Sequence, residues 1–279
     1  LIKEEDNIDI RLHEQMDHAR ILFNKGLYLQ SLKVLERLKE TARAYQQLTY
    51  LQQALFFEKK IESLYITRSM QDRAEQLRLE ADTVSAQLTL VNQLSNLALQ
   101  LYSWYIKHGH ARNEKDIENA HSFFKSHLPA EAISSRGFYE RLYLYQSYMW
   151  YAFIRQDFLQ YYRYSQRWVD LFTEFPGLLK VETANYIKGM HNLMGAQFNL
   201  LDHQRLAKSI RQFELFTKQK HLEDNENNRI LAYQYLYTAR INLYFLQGTF
   251  TKGLRLVPFL EEMLQEYGLY LDTHRVLVF

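Results

Sequence analysis

Two segments with nearly the same pattern lie towards the two ends of this chain. Residues 26–32 read Gly-Leu-Tyr-Leu-Gln-Ser-Leu, and residues 248–254 read Gly-Thr-Phe-Thr-Lys-Gly-Leu. Each begins with Gly, has an aromatic residue two positions later and a small residue three positions after that. Gly tolerates the positive φ of a tight turn, the aromatic ring can fill the base of a hairpin, and the small residue lets two helices approach. The pattern therefore predicts a turn between two packed antiparallel helices.

Turn-forming residues recur along the whole chain at nearly even spacing. They separate amphipathic helical patterns, and the six positions are Gly26, Thr67, Gly109, Asp157, Asp202 and Gly248. The intervals between them are 41, 42, 48, 45 and 46 residues. A period of this size is typical of an array of helical hairpins.

The turn segments resemble those of the tetratricopeptide repeat. The fourth unit keeps the aromatic residue as Phe158 but has bulky Tyr161 at the small position, and the fifth keeps a small residue, Ala207, without the aromatic. Ala207 and Gly253 are both expected to face the partner helix of their own hairpins. The second and third units match by spacing and periodicity only.

The resemblance implies an all-α fold: a right-handed superhelix, or α-solenoid, of about six antiparallel helical hairpins in one domain over residues 1–279. The usual period of that family is roughly 34 residues, so longer helices are expected here, and the HEAT or armadillo class of repeat stays open. The chain starts at Leu1 and ends inside an apolar pattern at residues 276–279, which suggests a fragment of a longer protein.

The composition favours continuous helix. The 279 residues include only 3 Pro and 9 Gly, and no stretch shows the sustained alternation of a half-buried strand. Pro258 falls within the second helix of the sixth unit, where it is expected to kink the helix. The longest uncharged run, residues 84–106, contains too many Ser, Gln and Asn residues to span a bilayer.

Recognisable catalytic and metal-binding motifs are absent from the sequence. The chain has no Cys, which excludes disulfides, thiolate metal sites and cysteine catalysis. It has no HExxH motif, no phosphate-cradling loop ending in Gly-Lys-Ser/Thr and no Gly-x-Ser-x-Gly. We therefore expect neither an enzyme nor a bound metal or cofactor.

In the family that the chain resembles, the first helix of each hairpin lines a concave face, and polar residues there, often Asn, hold an extended peptide. Counting back from the turn residues by three, six and ten to thirteen positions selects the groove side. A possible anion contact, Arg155, completes the set: Asn96, Ser103, Tyr151, Arg155, Asn192, Asn199, Tyr235 and Asn242. The alternative is that the Asn residues tie adjacent helices together or face water.

These features predict a protein-interaction module that binds a peptide or partner segment in its concave groove. One alternative is a sensor or regulatory portion of a larger signalling or transcriptional protein. Another is nucleic-acid binding by the fourth hairpin, where Arg163 and Arg167 lie near several aromatic residues. The net charge of +2 gives that alternative little support.

Overall fold

The computed structural model of the chain describes residues 7–65, 70–219, 222 and 225–267, and within these ranges it is helical, with no strand. Ala130–Ser134 and Pro176–Leu178 form short 3₁₀ helices. The helices are α1 (Ile8–Asn24), α2 (Tyr28–Ala44), α3 (Leu48–Tyr65), α4 (Met70–His108), α5 (Glu114–His127), α6 (Phe138–Ile154), α7 (Phe158–Glu174), α8 (Thr183–Asn199), α9 (His203–Thr217), α10 (Glu226–Leu246), α11 (Phe250–Leu254) and α12 (Val257–Tyr267).

One kind of turn joins α1 to α2, α6 to α7, α8 to α9 and α10 to α11. In each, a residue with φ between 57° and 74° follows the first helix; these are Gly26, Gln156, Leu201 and Gly248. The next backbone N–H then reaches back to a carbonyl five residues earlier, as from Leu27 to Leu22 (2.9 Å). This arrangement satisfies carbonyls that the end of a helix leaves without partners. The turn also occurs between α2 and α3, at Gln46, whereas Thr67 lies outside the described residues.

The turn residue in the fourth and fifth hairpins lies one position earlier than the sequence suggested. Asp157 and Asp202 are helix N-caps whose carboxylates accept hydrogen bonds from the N–H groups of Gln160 (3.1 Å) and Arg205 (2.9 Å). The small position of the fifth hairpin therefore falls on Leu206, which is fully buried. Ala207 is half-buried, and its contact with α8 stays a prediction, whereas Gly253 is buried against Tyr244 of α10 as expected.

The second and third expected hairpins are not separated by a loop. Helix α4 runs without interruption through Met70–His108, so it occupies the place of two helices in the expected pattern. No Gly or Pro occurs between residues 70 and 108, and nothing in this stretch ends the helix. The expectation of a boundary within this stretch is therefore corrected.

Pro258 has a stronger effect than the expected kink. The second helix of the sixth hairpin ends at Leu254, and a new helix begins at Val257, directly before the proline. The proline ring has no N–H to donate and clashes with the preceding turn, so the backbone opens at residues 255–256.

The chain divides into two compact units. The first unit comprises Leu1–His108 and Glu118–Ser147, and the second comprises Gly109–Ile117 and Tyr148–Phe279. A single domain over residues 1–279 stays a prediction. In the first unit α1 packs on α2, α2 on α3 and α3 on α4, each with its neighbour in sequence. The core of that unit includes the fully buried side chains of Leu12, Leu35, Leu38, Leu55, Leu94 and Leu142.

In the second unit each helix also packs on its neighbours in sequence: α7 contacts α8, α8 contacts α9 and α9 contacts α10. Helix α8 in addition contacts α10 directly, so the first helices of successive hairpins lie side by side. Gly189 permits a close approach of α8 to α7, because a Cβ there would lie 3.2 Å from the Trp168 ring.

Candidate functional site

An open groove of about 610 Å³ lies in the first unit, between α1 and α3. These are the first helices of the first two hairpins. The side chains that line the groove are apolar, amide or cationic: Met16, Arg20, Phe23, Asn24, Gln52, Gln53, Phe56, Phe57 and Lys60.

Aromatic rings form the apolar part of the groove. The rings of Phe23 and Phe57 meet edge to face with centroids 5.3 Å apart, and Phe23 also contacts Tyr28 of α2 at 5.6 Å. Phe56 is different because 73% of its surface is exposed to solvent. Phe56 therefore adds an exposed apolar surface to the groove.

Polar groups flank the aromatic rings. The ammonium group of Lys60 lies 5.3 Å from the centroid of the Phe23 ring. Arg20 Nη1 is 3.4 Å from Asp17 Oδ1, and both side chains are more than half exposed. The side-chain oxygen Oε1 of Gln52 is buried and accepts no hydrogen bond from the described residues. The groove therefore combines an apolar floor with groups that can bind a peptide backbone or an anion.

A cluster of charges, two of them buried, holds α3 against α2 and α4. Lys39 Nζ of α2 lies 2.6 Å from Glu58 Oε2 of α3 and 2.8 Å from Glu36 Oε2. Arg73 of α4 pairs with Glu58 as well. The side chains of Lys39 and Glu58 are only 1% and 4% exposed. The cluster thus connects three helices, and it fixes the helix that carries Phe56 and Phe57.

The counting rule selects some of the groove residues when it is applied to the first two turns, but from Thr67 it also selects Leu64 and Ile61, which do not line the groove. Counting back from Gly26 by three, six and ten positions gives Phe23, Arg20 and Met16, which all line the groove. Ten positions before Thr67 is Phe57. The sequence prediction used the rule only from the third unit onwards, where Asn residues drew attention, and it missed the aromatic residues for that reason.

Two expected site residues belong to the first unit. Asn96 and Ser103 both lie on α4 and are exposed. They are outside the lining of the α1–α3 groove. Their assignment to a ligand stays a prediction.

Tyr151 and Arg155 come together at the end of α6 in the second unit. Arg155 Nη1 donates a hydrogen bond to the Tyr151 hydroxyl (2.9 Å), and the guanidinium lies 5.0 Å from the centre of the Tyr151 ring. Tyr151 itself is buried, with 9% of its surface exposed. The two residues form a pair within one helical turn, so the cation is held close to the ring.

The amide of Asn192 is used within the protein. Its Oδ1 accepts a hydrogen bond from the hydroxyl of Tyr161 in α7 (3.1 Å), and its Nδ2 donates to the Lys188 carbonyl (2.8 Å). These contacts correspond to the interhelical tie that the sequence left open as an alternative. Any ligand that used this amide would have to displace Tyr161.

The remaining expected residues lie on the adjacent helices α8 and α10. Asn199, Tyr235 and Asn242 are all half-buried. The ring of Tyr235 stacks on His191 with centroids 3.8 Å apart and planes 17° apart. Burial, with a smaller effect of the nearby Lys188 charge, lowers the pKa of His191 to about 4. The imidazole is therefore neutral at pH 7.

The basic, aromatic fourth hairpin is arranged as pairs of rings and cations. The guanidinium of Arg167 lies 5.3 Å from the centre of the Tyr164 ring, and that of Arg205 lies 5.5 Å from the Tyr162 ring. Tyr164 also stacks on Tyr148 at 4.5 Å. Arg side chains that lie on aromatic rings in this way contribute to packing at the surface.

Within the described ranges, no group of three or more His, Asp or Glu side chains is arranged to hold a metal ion. In the same ranges, none of the helices has both the length and the apolar composition needed to cross a membrane. Comparison with known proteins finds no matching family model, no matching curated protein and no matching solved structure. The function has to follow from the residues of the chain itself.

Proposed function

We propose that this chain is a protein-interaction module that holds a segment of a partner protein in the groove between α1 and α3. The observation that carries the proposal is the exposure of Phe56, 73% of whose surface faces solvent beside the packed rings of Phe23 and Phe57. Exposing a phenyl ring in water is unfavourable, and burying it against a partner would recover roughly 1.5–3 kcal/mol.

The arrangement of the helices supports a binding role rather than catalysis. The groove offers apolar contacts, amides and two cations, but among the described residues no nucleophile paired with a base lines it. We further propose that the hairpins continue as a right-handed, tetratricopeptide-like superhelix. The recurrence of one turn geometry and the lateral contact of α8 with α10 support this arrangement.

The proposal is tested with a peptide that is selected from a peptide-display library for binding to the whole protein. Its affinity is measured by fluorescence anisotropy for the Phe56→Ser variant and for a matched control, Leu29→Ser. Leu29 lies on α2, is 63% exposed and is outside the groove. We expect Phe56→Ser to weaken binding at least tenfold, because about 1.5–3 kcal/mol of apolar burial is lost, and Leu29→Ser to leave it unchanged.

Equal affinities for the two variants would place the binding surface elsewhere. Both replaced side chains are largely exposed, so the stabilities of the variants should match that of the parent protein. A thermal unfolding measurement on both separates loss of binding from loss of folding.

A further inference from the structure

We infer that the segment bound in the α1–α3 groove is acidic, with carboxylates interspersed among apolar side chains; this inference rests on the proposed function. The described side chains that line the groove include two cations, Arg20 and Lys60, and no carboxylate. The chain as a whole has nearly balanced charge, with 34 Lys and Arg against 32 Asp and Glu. The groove therefore differs in its charge from the average of the chain.

Both cations are available to a ligand. Lys60 lies over the Phe23 ring and forms no ion pair with a carboxylate of the described residues. Arg20 is paired with Asp17, but the contact is 3.4 Å long and both side chains are more than half exposed. Exposed ion pairs of this kind are worth about 0–1 kcal/mol, so a carboxylate of the ligand can replace Asp17 at little cost.

The positions of the cations match a short peptide. Arg20 is on α1 and Lys60 is on α3, so they flank the aromatic rings from both helices. A segment whose apolar side chains contact Phe56 and Phe57 would place its intervening residues towards these two charges. In an extended peptide successive side chains point to opposite sides, so acidic side chains that alternate with apolar ones would point away from the rings, where the long, exposed side chains of Arg20 and Lys60 can reach them.

A peptide fits the groove better than a nucleic acid does. Nucleic-acid affinity rests mainly on many phosphate contacts, whereas the part of the chain that the structure describes lines this groove with two cations. The buried oxygen Oε1 of Gln52 is a hydrogen-bond acceptor without a donor among the described residues. A carbonyl oxygen of this kind accepts from a peptide N–H and repels a phosphate oxygen, and the Gln52 side chain would have to turn towards the groove to meet a ligand.

The inference is tested with three synthetic twelve-residue peptides that share the same Phe and Leu residues at alternate positions. The intervening residues are Glu in one, Gln in the second and Lys in the third. We expect the Glu peptide to bind roughly fivefold to tenfold more tightly than the Gln peptide, because each exposed ion pair contributes a few-fold. The Lys peptide should bind most weakly.

A double variant, Arg20→Gln with Lys60→Gln, tests whether the two cations of the groove cause the preference for the Glu peptide. It should reduce the ratio of the affinities for the Glu and Gln peptides to about one. The matched control is Lys33→Gln with Arg37→Gln, two cations of α2 that do not line the groove. This control should keep the preference for Glu.

Four results would overturn the inference. If the Glu and Gln peptides bind equally and the Phe56→Ser variant binds neither, the proposed function stands and the inferred preference for acidic peptides is wrong. A Glu preference that persists in the Arg20–Lys60 double variant places its cause outside the groove. Displacement of the Glu peptide by a twelve-nucleotide oligothymidylate at equal concentration would make the occupant a nucleic acid. If none of the three peptides binds, both the inference and the proposed function fail.

Discussion

At the scale of single residues, the hairpin turns use a backbone conformation that suits Gly better than other residues. Gly26 and Gly248 adopt it with φ of 74° and 66°, whereas Leu201 adopts it with φ of 57°. A side chain in this conformation is destabilising by roughly 1–2 kcal/mol. Leu201 is also 71% exposed, so its side chain contributes little burial in return.

We therefore predict that Leu201→Gly stabilises the protein by about 0.5–1 kcal/mol, after allowing for the greater entropy that Gly gives the unfolded chain. Urea unfolding measures the change. The reciprocal variant, Gly248→Ala, should be destabilising by about 1 kcal/mol, since φ there is 66°. A loss of stability in Leu201→Gly would show that the leucine has a packing role.

Asn192 connects α7 to α8 through the Tyr161 hydroxyl. We predict that Asn192→Ala lowers the free energy of unfolding by about 1 kcal/mol, because one interhelical hydrogen bond is lost. Asn242→Ala is the comparison, since the half-buried Asn242 is expected to face a ligand groove. If thermal unfolding shows both variants to be equally stable, the Tyr161–Asn192 bond does not stabilise the fold.

The sequence identified some of the turn residues but not others. The Gly residues mark positive φ directly, and Gly26, Gly109 and Gly248 were recognised for that reason. Leu201 and Gln156 carry no such signal, because leucine and glutamine are ordinary helix residues. The helix caps Asp157 and Asp202 were therefore taken for the turn residues. As a result, the small position of the fifth hairpin was assigned to Ala207 instead of Leu206.

At the scale of helices, the charge cluster between α2, α3 and α4 could not be read from the sequence. Lys39, Glu58 and Arg73 are widely separated along the chain, and Lys and Glu are normally exposed. Here Lys39 is one of the most completely buried side chains of the described residues. Only the packing of three helices brings these charges within reach of one another.

We predict that Glu58→Ala lowers the free energy of unfolding by about 1.5–3 kcal/mol, because the buried ammonium group of Lys39 loses its nearest partner and keeps Glu36. Glu40→Ala is the control, since Glu40 is an exposed residue of α2. Denaturant titration of both variants gives the difference. A loss of under about 1 kcal/mol for Glu58→Ala would mean that water enters the cluster and screens it.

The contact between α8 and α10 makes stability depend on pH. The pKa of His191 is about 4 in the folded protein, against 6.5 for an ordinary histidine. The unfolded chain therefore binds more protons between these values, and stability that is present at pH 7 falls as the pH decreases from about 6.5 towards 4. From these two pKa values the loss at pH 5 is on the order of 2 kcal/mol.

The variant His191→Phe tests this prediction, because it keeps a ring to stack on Tyr235 and removes the titrating group. Its stability should be lost less steeply between pH 7 and pH 5 than that of the parent protein. The control is His203→Phe, which replaces an exposed histidine outside the stacked pair of His191 and Tyr235. Parallel pH profiles for His191→Phe and the parent would contradict the assignment.

At the scale of the whole molecule, helical content and the packing of successive helices followed from the scarcity of Gly and Pro and from the period of the turns. The number of helices did not, because α4 continues where a boundary was expected. A periodic pattern fixes where a helix can end, but a breaker or a cap is needed to end it.

The place of the groove could not be predicted from the sequence. The side chains named in advance lie on α4, at the end of α6 and on α8 and α10, whereas the open groove lies between α1 and α3. Three of its nine lining residues are aromatic, and aromatic residues on a helix do not reveal from sequence whether they are buried or exposed. Phe56 and Phe57 are neighbours with the same side chain, yet only Phe56 is largely exposed.

The central claim, that a partner segment lies in the α1–α3 groove, is tested most directly by site-specific photocrosslinking. Benzoylphenylalanine is placed at position 56 in one protein and at position 29 in another, and each is irradiated with the same library-selected peptide. We predict an efficient crosslink from position 56, with attachment sites near one part of the peptide, and none above background from position 29. Equal crosslinking from both positions, or crosslinking from position 29 alone, would contradict the claim.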